Sequence, residues 1–428
     1  MERNVLSELQ EFLVESPGCF HAVEAIRRRL DAAGFTALSE KERWALTPGK
    51  GYYVVRGGAS ILSFKLPEDK PEGFHIIASH SDSPSFKLKP DPALWSNGLL
   101  RLNVEGYGGM IRESWFDRPL SIAGRVLVEE GEKLRQKLVY FDRDLLMIPS
   151  LAIHLSRDSK KEGPVRVQSE LLPILGASDA GDWTRLLAEQ AGVEAERILG
   201  MDLFLTCRMK PAVWGARDEF LSAPRLDDLA CAYGSLAGFL DAAPKSHVAL
   251  HCVFDNEEVG SRSMQGAEST FLVMTARRVC RALGMDEEDW CAAAARSFMI
   301  SADNAHAFHP NYAEKYDPVN RPRMNGGIVL KHHAAQKYTT DGVSEAVFKK
   351  LCKGCGVPVQ EYVNHSDVAG GSTLGNISNT QFSVRSVDVG LPQLAMHSAY
   401  ETMGCADAGY LAALARAFYG GKLPEVET

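Results

Sequence analysis

The fold of this chain turns on one stretch, Ser246-His247-Val248-Ala249-Leu250-His251-Cys252-Val253-Phe254-Asp255-Asn256-Glu257-Glu258-Val259-Gly260. Its first half reads as a buried strand, apolar and rich in β-branched residues, of the kind found in the middle of a sheet. It runs straight into three acids within four residues. Carboxylates crowded at a strand end repel one another and are costly to desolvate unless a cation or a proton shares the site. Adjacent Glu side chains point in different directions, so one can bind a metal while the other faces a substrate as a base. In isolation a solvated acidic loop reads the same way. The rest of the chain decides between them.

The 428 residues are 45% hydrophobic and 24% charged, an ordinary globular balance at a length that favours two or three domains. A net charge of −8 argues against a nucleic-acid partner. No apolar run approaches the ~18 residues that span a bilayer. The opening Met1-Glu2-Arg3-Asn4-Val5-Leu6-Ser7-Glu8 has no apolar core of signal-peptide length. Nine cysteines, an odd number at low density, point to a reducing cytoplasm. Cys352-Lys353-Gly354-Cys355 is the one C-x-x-C, and it lacks the second pair of a zinc site. There is no G-x-S-x-G elbow and no G-x-x-x-x-G-K-[ST] loop, which removes the commonest serine-hydrolase and nucleotide-binding readings.

Outward from the acids, other strands end in polar clusters. Helical periodicity over residues 5–34 breaks at Ser16-Pro17-Gly18, and a hairpin follows over 51–65 around Gly57-Gly58. Phe74-His75-Ile76-Ile77-Ala78-Ser79 then ends in His80-Ser81-Asp82, an imidazole for a metal with a carboxylate placed to orient it, or a hydrogen-bonded structural pair. From about 91 to 217 the texture is strand-like and Gly-punctuated, which predicts an inserted β-rich domain. Within it, His154 in an apolar segment reads from spacing as a satisfied buried histidine. Alternation of strand and helix resumes after Glu219. Asp227 opens a helix running to about Asp241, as an N-cap or as a metal ligand. A helix is predicted near 266–284. Ser297-Phe298-Met299-Ile300-Ser301-Ala302 ends in Asp303, a strand over 382–389 leads to His397, and a terminal helix is predicted from about Ala399 to Tyr419.

Four predicted strands thus end in His80, Glu257-Glu258, Asp303 and His397, with Asp227 between them. Open α/β sheets bind ligands beyond the carboxyl ends of their strands. Two His and three carboxylates suit two zinc-like ions with one carboxylate bridging them, which leaves Glu257 as the base.

These residues resemble the M18 metallopeptidases, the aspartyl aminopeptidases. The resemblance rests on His80-Ser81-Asp82-Ser83-Pro84, Ile148-Pro149-Ser150-Leu151-Ala152-Ile153-His154-Leu155, Arg225-Leu226-Asp227, Asp255-Asn256-Glu257-Glu258-Val259-Gly260-Ser261, Ser301-Ala302-Asp303-Asn304-Ala305-His306, His309-Pro310-Asn311-Tyr312 and Ala395-Met396-His397-Ser398, in the family's order across nearly the whole chain. It implies an α/β zinc-exopeptidase-like catalytic domain, a central mixed sheet flanked by helices, built from residues 1–90 and 218–428 and interrupted by a β-rich domain over 91–217 that makes subunit contacts. It implies two Zn2+ per subunit, with Mn2+ or Co2+ as substitutes. Asp227 would bridge the ions, His80 and Asp303 would hold one, and Glu258 and His397 the other. Glu257 would be the general base and Asp82 would orient His80. Substrate contacts would come from His306, Lys331 and Tyr338, and from His154 reaching in from a neighbouring subunit of a tetrahedral dodecamer. The implied substrates are peptides with a free N-terminal Asp or Glu. Lys331 by spacing alone also reads as a surface lysine at a strand end. Lys337, His365 and Gly370 stand where relatives usually carry Arg, Arg and Cys, so the side-chain preference is the open part of the resemblance. The competing readings are a metallohydrolase of different side-chain preference, such as a deacylase, and a non-catalytic self-assembling scaffold. A non-catalytic scaffold does not account for a complete set of ligands and base.

Overall fold

The apolar half of the acidic stretch is the strand His247–Phe254, buried in all but its first residue. Its side chains alternate between two cores. Val248, Leu250, Cys252 and Phe254 pack on one face of the sheet, and Ala249 and Val253 on the other. A strand buried on both faces needs a layer on each side, and the chain supplies them. Helices Val5–Glu15, Cys19–Ala32, Leu226–Asp241, Gly342–Cys355 and Asp407–Gly420 cover one face through residues such as Phe12, Ile26, Leu236, Phe348 and Phe418. Helices Phe271–Ala282, Glu287–Ala295 and Leu374–Ser378 cover the other through Phe271, Ala276, Trp290 and Leu374. The computed structural model describes residues 4–156, 165–177, 182–368, 370, 371 and 373–426. Met1, Glu2 and Arg3 of the opening octet lie outside the described residues.

The central sheet has nine strands in the order Thr36–Leu38, Gly51–Arg56, Ser60–Lys65, His247–Phe254, Gly73–His80, Phe298–Ala302, Arg385–Gly390, Ile328–His332, Val359–Val363. Four of these run parallel side by side, from His247–Phe254 to Arg385–Gly390, and the antiparallel neighbours flank them. Phe254 lies opposite His80, and Ser301 opposite Ala78, so three carboxyl ends finish at nearly one level. A second, six-stranded antiparallel sheet is formed between Ser85 and Cys207 around its own core, which includes Phe86, Trp115, Val126, Trp183 and Leu203. A third sheet of five short strands joins Ala212–Trp214, Phe220–Ala223, Glu401–Gly404, Pro392–Leu394 and Ala305–His306.

Three expectations need correction. The terminal helix begins at Asp407, because 401–404 form a strand hydrogen-bonded between Phe220–Ala223 and Pro392–Leu394. Strand pairing on both edges outweighs local helix preference there. His397 does not end a central strand: Arg385–Gly390 stops earlier, and His397 sits between two strands of the third sheet with φ of +66°. The helix expected over 266–284 is shorter, Phe271–Ala282.

Candidate metal centre

The carboxyl ends of the parallel strands bring their polar residues together. His80 is the last residue of its strand, and its Nε2 lies 3.5 Å from Asp227 Oδ1 and 3.7 Å from Asp303 Oδ1. His397 Nε2 lies 3.5 Å from Asp227 Oδ2 and 3.5 Å from Glu258 Oε2. The Asp227 carboxylate therefore turns one oxygen to each imidazole. Three sets of donor atoms each fall within 4.8 Å of one another: His80 with Asp227, Asp228 and Asp303; His80 with Glu257 and Glu258; and Asp227 with Glu258 and His397. Asp227 is not an N-cap. It lies in the first turn of Leu226–Asp241 with non-helical φ/ψ, and no side chain caps that helix.

Asp82 touches both His80 and the acidic pair. Its carbonyl is 3.1 Å from His80 Nδ1 and its Oδ1 3.4 Å. Its carboxylate also accepts the backbone N–H groups of Glu257 at 3.1 Å and Glu258 at 3.2 Å. Glu258 keeps only 4% of its side chain exposed.

The electrostatics are those of acids and imidazoles sharing protons. Burial pushes the Glu257 carboxyl up to about 8, and burial and Asp82 push Asp255 up to about 7. Burial also raises Glu258 and Asp228 well above the carboxylate range. Asp227 is driven down, against burial, by His397 and His80. Burial pulls both imidazoles down, but the surrounding carboxylates together more than reverse it, Asp227 foremost. Asp303 and Asp82 join it at His80, and Glu258 joins it at His397, which is brought to about 10. Asp227 Oδ1, Asp228 Oδ1 and Glu258 Oε1 are buried and make no hydrogen bond. Buried acceptors without donors, grouped around two imidazoles, fit divalent cations taking the place of those protons. A fourth group, His332 with Glu345 and Glu361, already holds an ammonium between its acids, with Lys349 Nζ 2.5 Å from each Glu.

The remaining expected residues divide. Lys331 is a buried cation, 3% exposed, with Nζ 3.4 Å from Asp303 Oδ2 and 5.5 Å above the Tyr338 ring. The surface-lysine reading is therefore wrong. Burial pulls its pKa down, but Asp303, Tyr338 and Asp388 raise it above the ordinary lysine value. His306 stands edge-on to Tyr362, with centroids 5.8 Å apart, and Tyr338 packs in the same small cluster as Tyr362. His154 is exposed on the short helix Ile153–Ser156, not buried as its spacing suggested, and it joins none of the donor groups. Ser372, in the stretch 370–373, lies outside the described residues.

The family described as aminopeptidase I zinc metalloprotease (M18) matches residues 12–419. The chain belongs to the M18 aminopeptidases. A probable M18 family aminopeptidase 2 of Clostridium novyi is 42% identical over 424 residues, covering 96% of this chain and 98% of the relative. Among solved structures, Ape4 in its complex with Nbr1 superposes with a TM-score of 0.94 at 35% identity, covering 97% of this chain and 85% of that one. The S. cerevisiae mApe1 dodecamer gives 0.85 at 28%, covering 97% and 96%. The α/β fold is that of these M18 aminopeptidases.

Two polar residues of this M18 centre stand outside the expected set. Glu401 is buried and accepts the backbone N–H of Asp227 at 3.0 Å and of His397 at 2.7 Å, holding two of the expected ligands in register. Asp228 accepts the His80 N–H at 3.1 Å. The Asp-Asp doublet was the one hint for Asp228. Glu401 had none, since a carboxylate that bonds to backbone leaves no spacing pattern.

Proposed function

We propose that this M18 enzyme is a binuclear zinc aminopeptidase that removes an N-terminal Asp or Glu from peptides. The observation that carries the reading is the Asp227 carboxylate, whose two oxygens face the two imidazoles separately. His80, Asp227 and Asp303 would hold one ion, and Asp227, Glu258 and His397 the other, with Mn2+ or Co2+ as substitutes. Bound there, zinc polarises the scissile carbonyl and makes a water molecule more acidic. Glu257, left out of both ligand sets, takes a proton from the attacking water. It returns that proton to the amine nitrogen as the C–N bond breaks, releasing the first residue and the shortened peptide. Asp82 fixes the backbone under Glu257 and Glu258. The acids of the centre favour a free α-amino group, which restricts cleavage to N-termini.

Lys331 supplies the buried cation for an acidic first side chain, with His306 and Tyr338 beside it. His154 would complete the pocket of a neighbouring subunit. Its flanks support this: Leu151, Ile153 and Leu155 are 56%, 63% and 72% exposed, an apolar edge suited to docking on a second copy. We read the sheet between Ser85 and Cys207 as an inserted domain, residues 91–217 in outline, that builds a tetrahedral dodecamer. The nine cysteines are free thiols, which suits a cytoplasmic enzyme, and no helix among the described residues is long and apolar enough to cross a membrane.

The test is hydrolysis of a panel of N-terminal aminoacyl substrates after chelation and add-back of zinc, manganese and cobalt. Metal-restored preference for Asp and Glu supports the reading. Metal-restored cleavage of neutral substrates discards the acidic pocket, and no cleavage discards the activity.

A further inference from the structure

The segment Tyr107-Gly108-Gly109-Met110-Ile111 leaves the end of a strand in the six-stranded sheet and runs against the metal centre. The Tyr107 hydroxyl donates to Asp82 Oδ2 at 2.6 Å and accepts from Asn256 Nδ2 at 2.9 Å. Its ring is held edge-on by Phe204 of the same sheet, with centroids 5.3 Å apart. Gly108 has φ of +73°, and a Cβ there would lie 3.1 Å from Glu258 Cβ. The Gly109 carbonyl faces His397 Nδ1, and the Ile111 N–H donates to the His397 carbonyl at 3.0 Å. A carbonyl only accepts, so His397 Nδ1 carries a proton, and Nε2 is the nitrogen whose lone pair would face a cation taking the place of its proton beside Asp227 and Glu258.

We infer that residues 107–111 are a positioning element for the metal centre, so that the six-stranded sheet sets zinc affinity and base orientation without supplying a ligand. Resting on the binuclear reading above, the inference adds a defined route. Tyr107 fixes the Asp82 carboxylate, which holds the Glu257 and Glu258 amides, and Gly109 selects the His397 tautomer. Partners that orient metal ligands in this way are typically worth about 10- to 100-fold in metal affinity. Packing alone would need the Tyr107 ring but not its hydroxyl.

Tyr107→Phe keeps the ring against Phe204 and removes only the hydroxyl. Zinc affinity is read by competition with a chelating indicator, alongside kcat, KM and the melting temperature of the zinc-free protein. The expected result is zinc binding weakened about 10-fold or more, with lower kcat, unchanged KM and an unchanged melting temperature. Gly108→Ala, which presses on Glu258 from the same segment, should weaken zinc as well. Asp227→Asn runs beside them as the test of the site itself. If Asp227→Asn loses zinc while Tyr107→Phe and Gly108→Ala bind it as the wild type does, this inference is overturned and the metal site stands. If Asp227→Asn binds zinc normally, both are overturned.

Discussion

Lys331→Met separates the role proposed for one buried ammonium, pairing with an acidic substrate, from its contact with Asp303. Lys331 lies 3.4 Å from Asp303 and is 3% exposed, so its charge either serves an acidic substrate or only balances Asp303. Met keeps length and apolar bulk and removes the charge. Two unit charges 4 Å apart interact by about 4 kcal/mol at the effective dielectric of a partly buried site. Asp303 already takes part of that field. The share left for a substrate carboxylate is then roughly 3–4 kcal/mol, or roughly 100- to 1,000-fold in kcat/KM. The assay compares substrates with N-terminal Asp and with N-terminal Leu, in protein whose zinc content has been measured. The Asp substrate should lose roughly that factor, while the Leu substrate changes by less than about tenfold, since it offers no charge to pair. An equal loss on both substrates would refute the argument and leave Lys331 as the partner of Asp303 alone.

Replacing Glu257 with Gln should leave zinc bound and lower kcat by about 10²- to 10⁴-fold; unchanged turnover would remove Glu257 from the proton transfers. Mixed particles of His154→Ala and Glu257→Gln subunits should recover activity that neither has alone, and a failure to recover in assembled mixtures would return His154 to its own subunit. His75 is stacked on His247 at 4.1 Å and on Phe418 at 4.7 Å, and burial, then the His247 imidazole, lowers it from 6.5 to about 3. A value depressed in the folded chain means stability that is full above pH 6.5 and lost as pH falls toward 3, by about 1.4 kcal/mol per pH unit. Urea titrations should therefore show the wild type losing about 2 kcal/mol more than His75→Phe between pH 6.5 and 5, and parallel losses would sink the assignment.

The centre was legible where a buried strand gives way abruptly to acids or imidazoles. His80, Glu257, Glu258 and Asp303 all stand at such breaks, and the sheet brings those breaks together. His397 came from the same logic with the wrong support, because the short strands Pro392–Leu394 and Glu401–Gly404 are too brief for period-two alternation to show. The same brevity hid 401–404 inside an expected helix. Tyr107, Glu401 and Asp228 were missed for another reason: their partners are a remote carboxylate or backbone amides, and such bonds depend on tertiary placement alone. The burial of Lys331 and the exposure of His154 follow from layers stacked by distant segments, which neither local sequence encodes.

The pairing of Phe254 opposite His80 also limits where the chain tolerates changes of length. A residue inserted before Gly73 or His247 enters a connection at the far end of the sheet and leaves the metal end undisturbed. A residue inserted within either strand shifts everything beyond it by one position, turning His80 or the Glu257-Glu258 pair to the opposite face. Length variation compatible with activity should therefore gather at the amino ends of the parallel strands, with the spans 73–80 and 247–254 fixed to the residue.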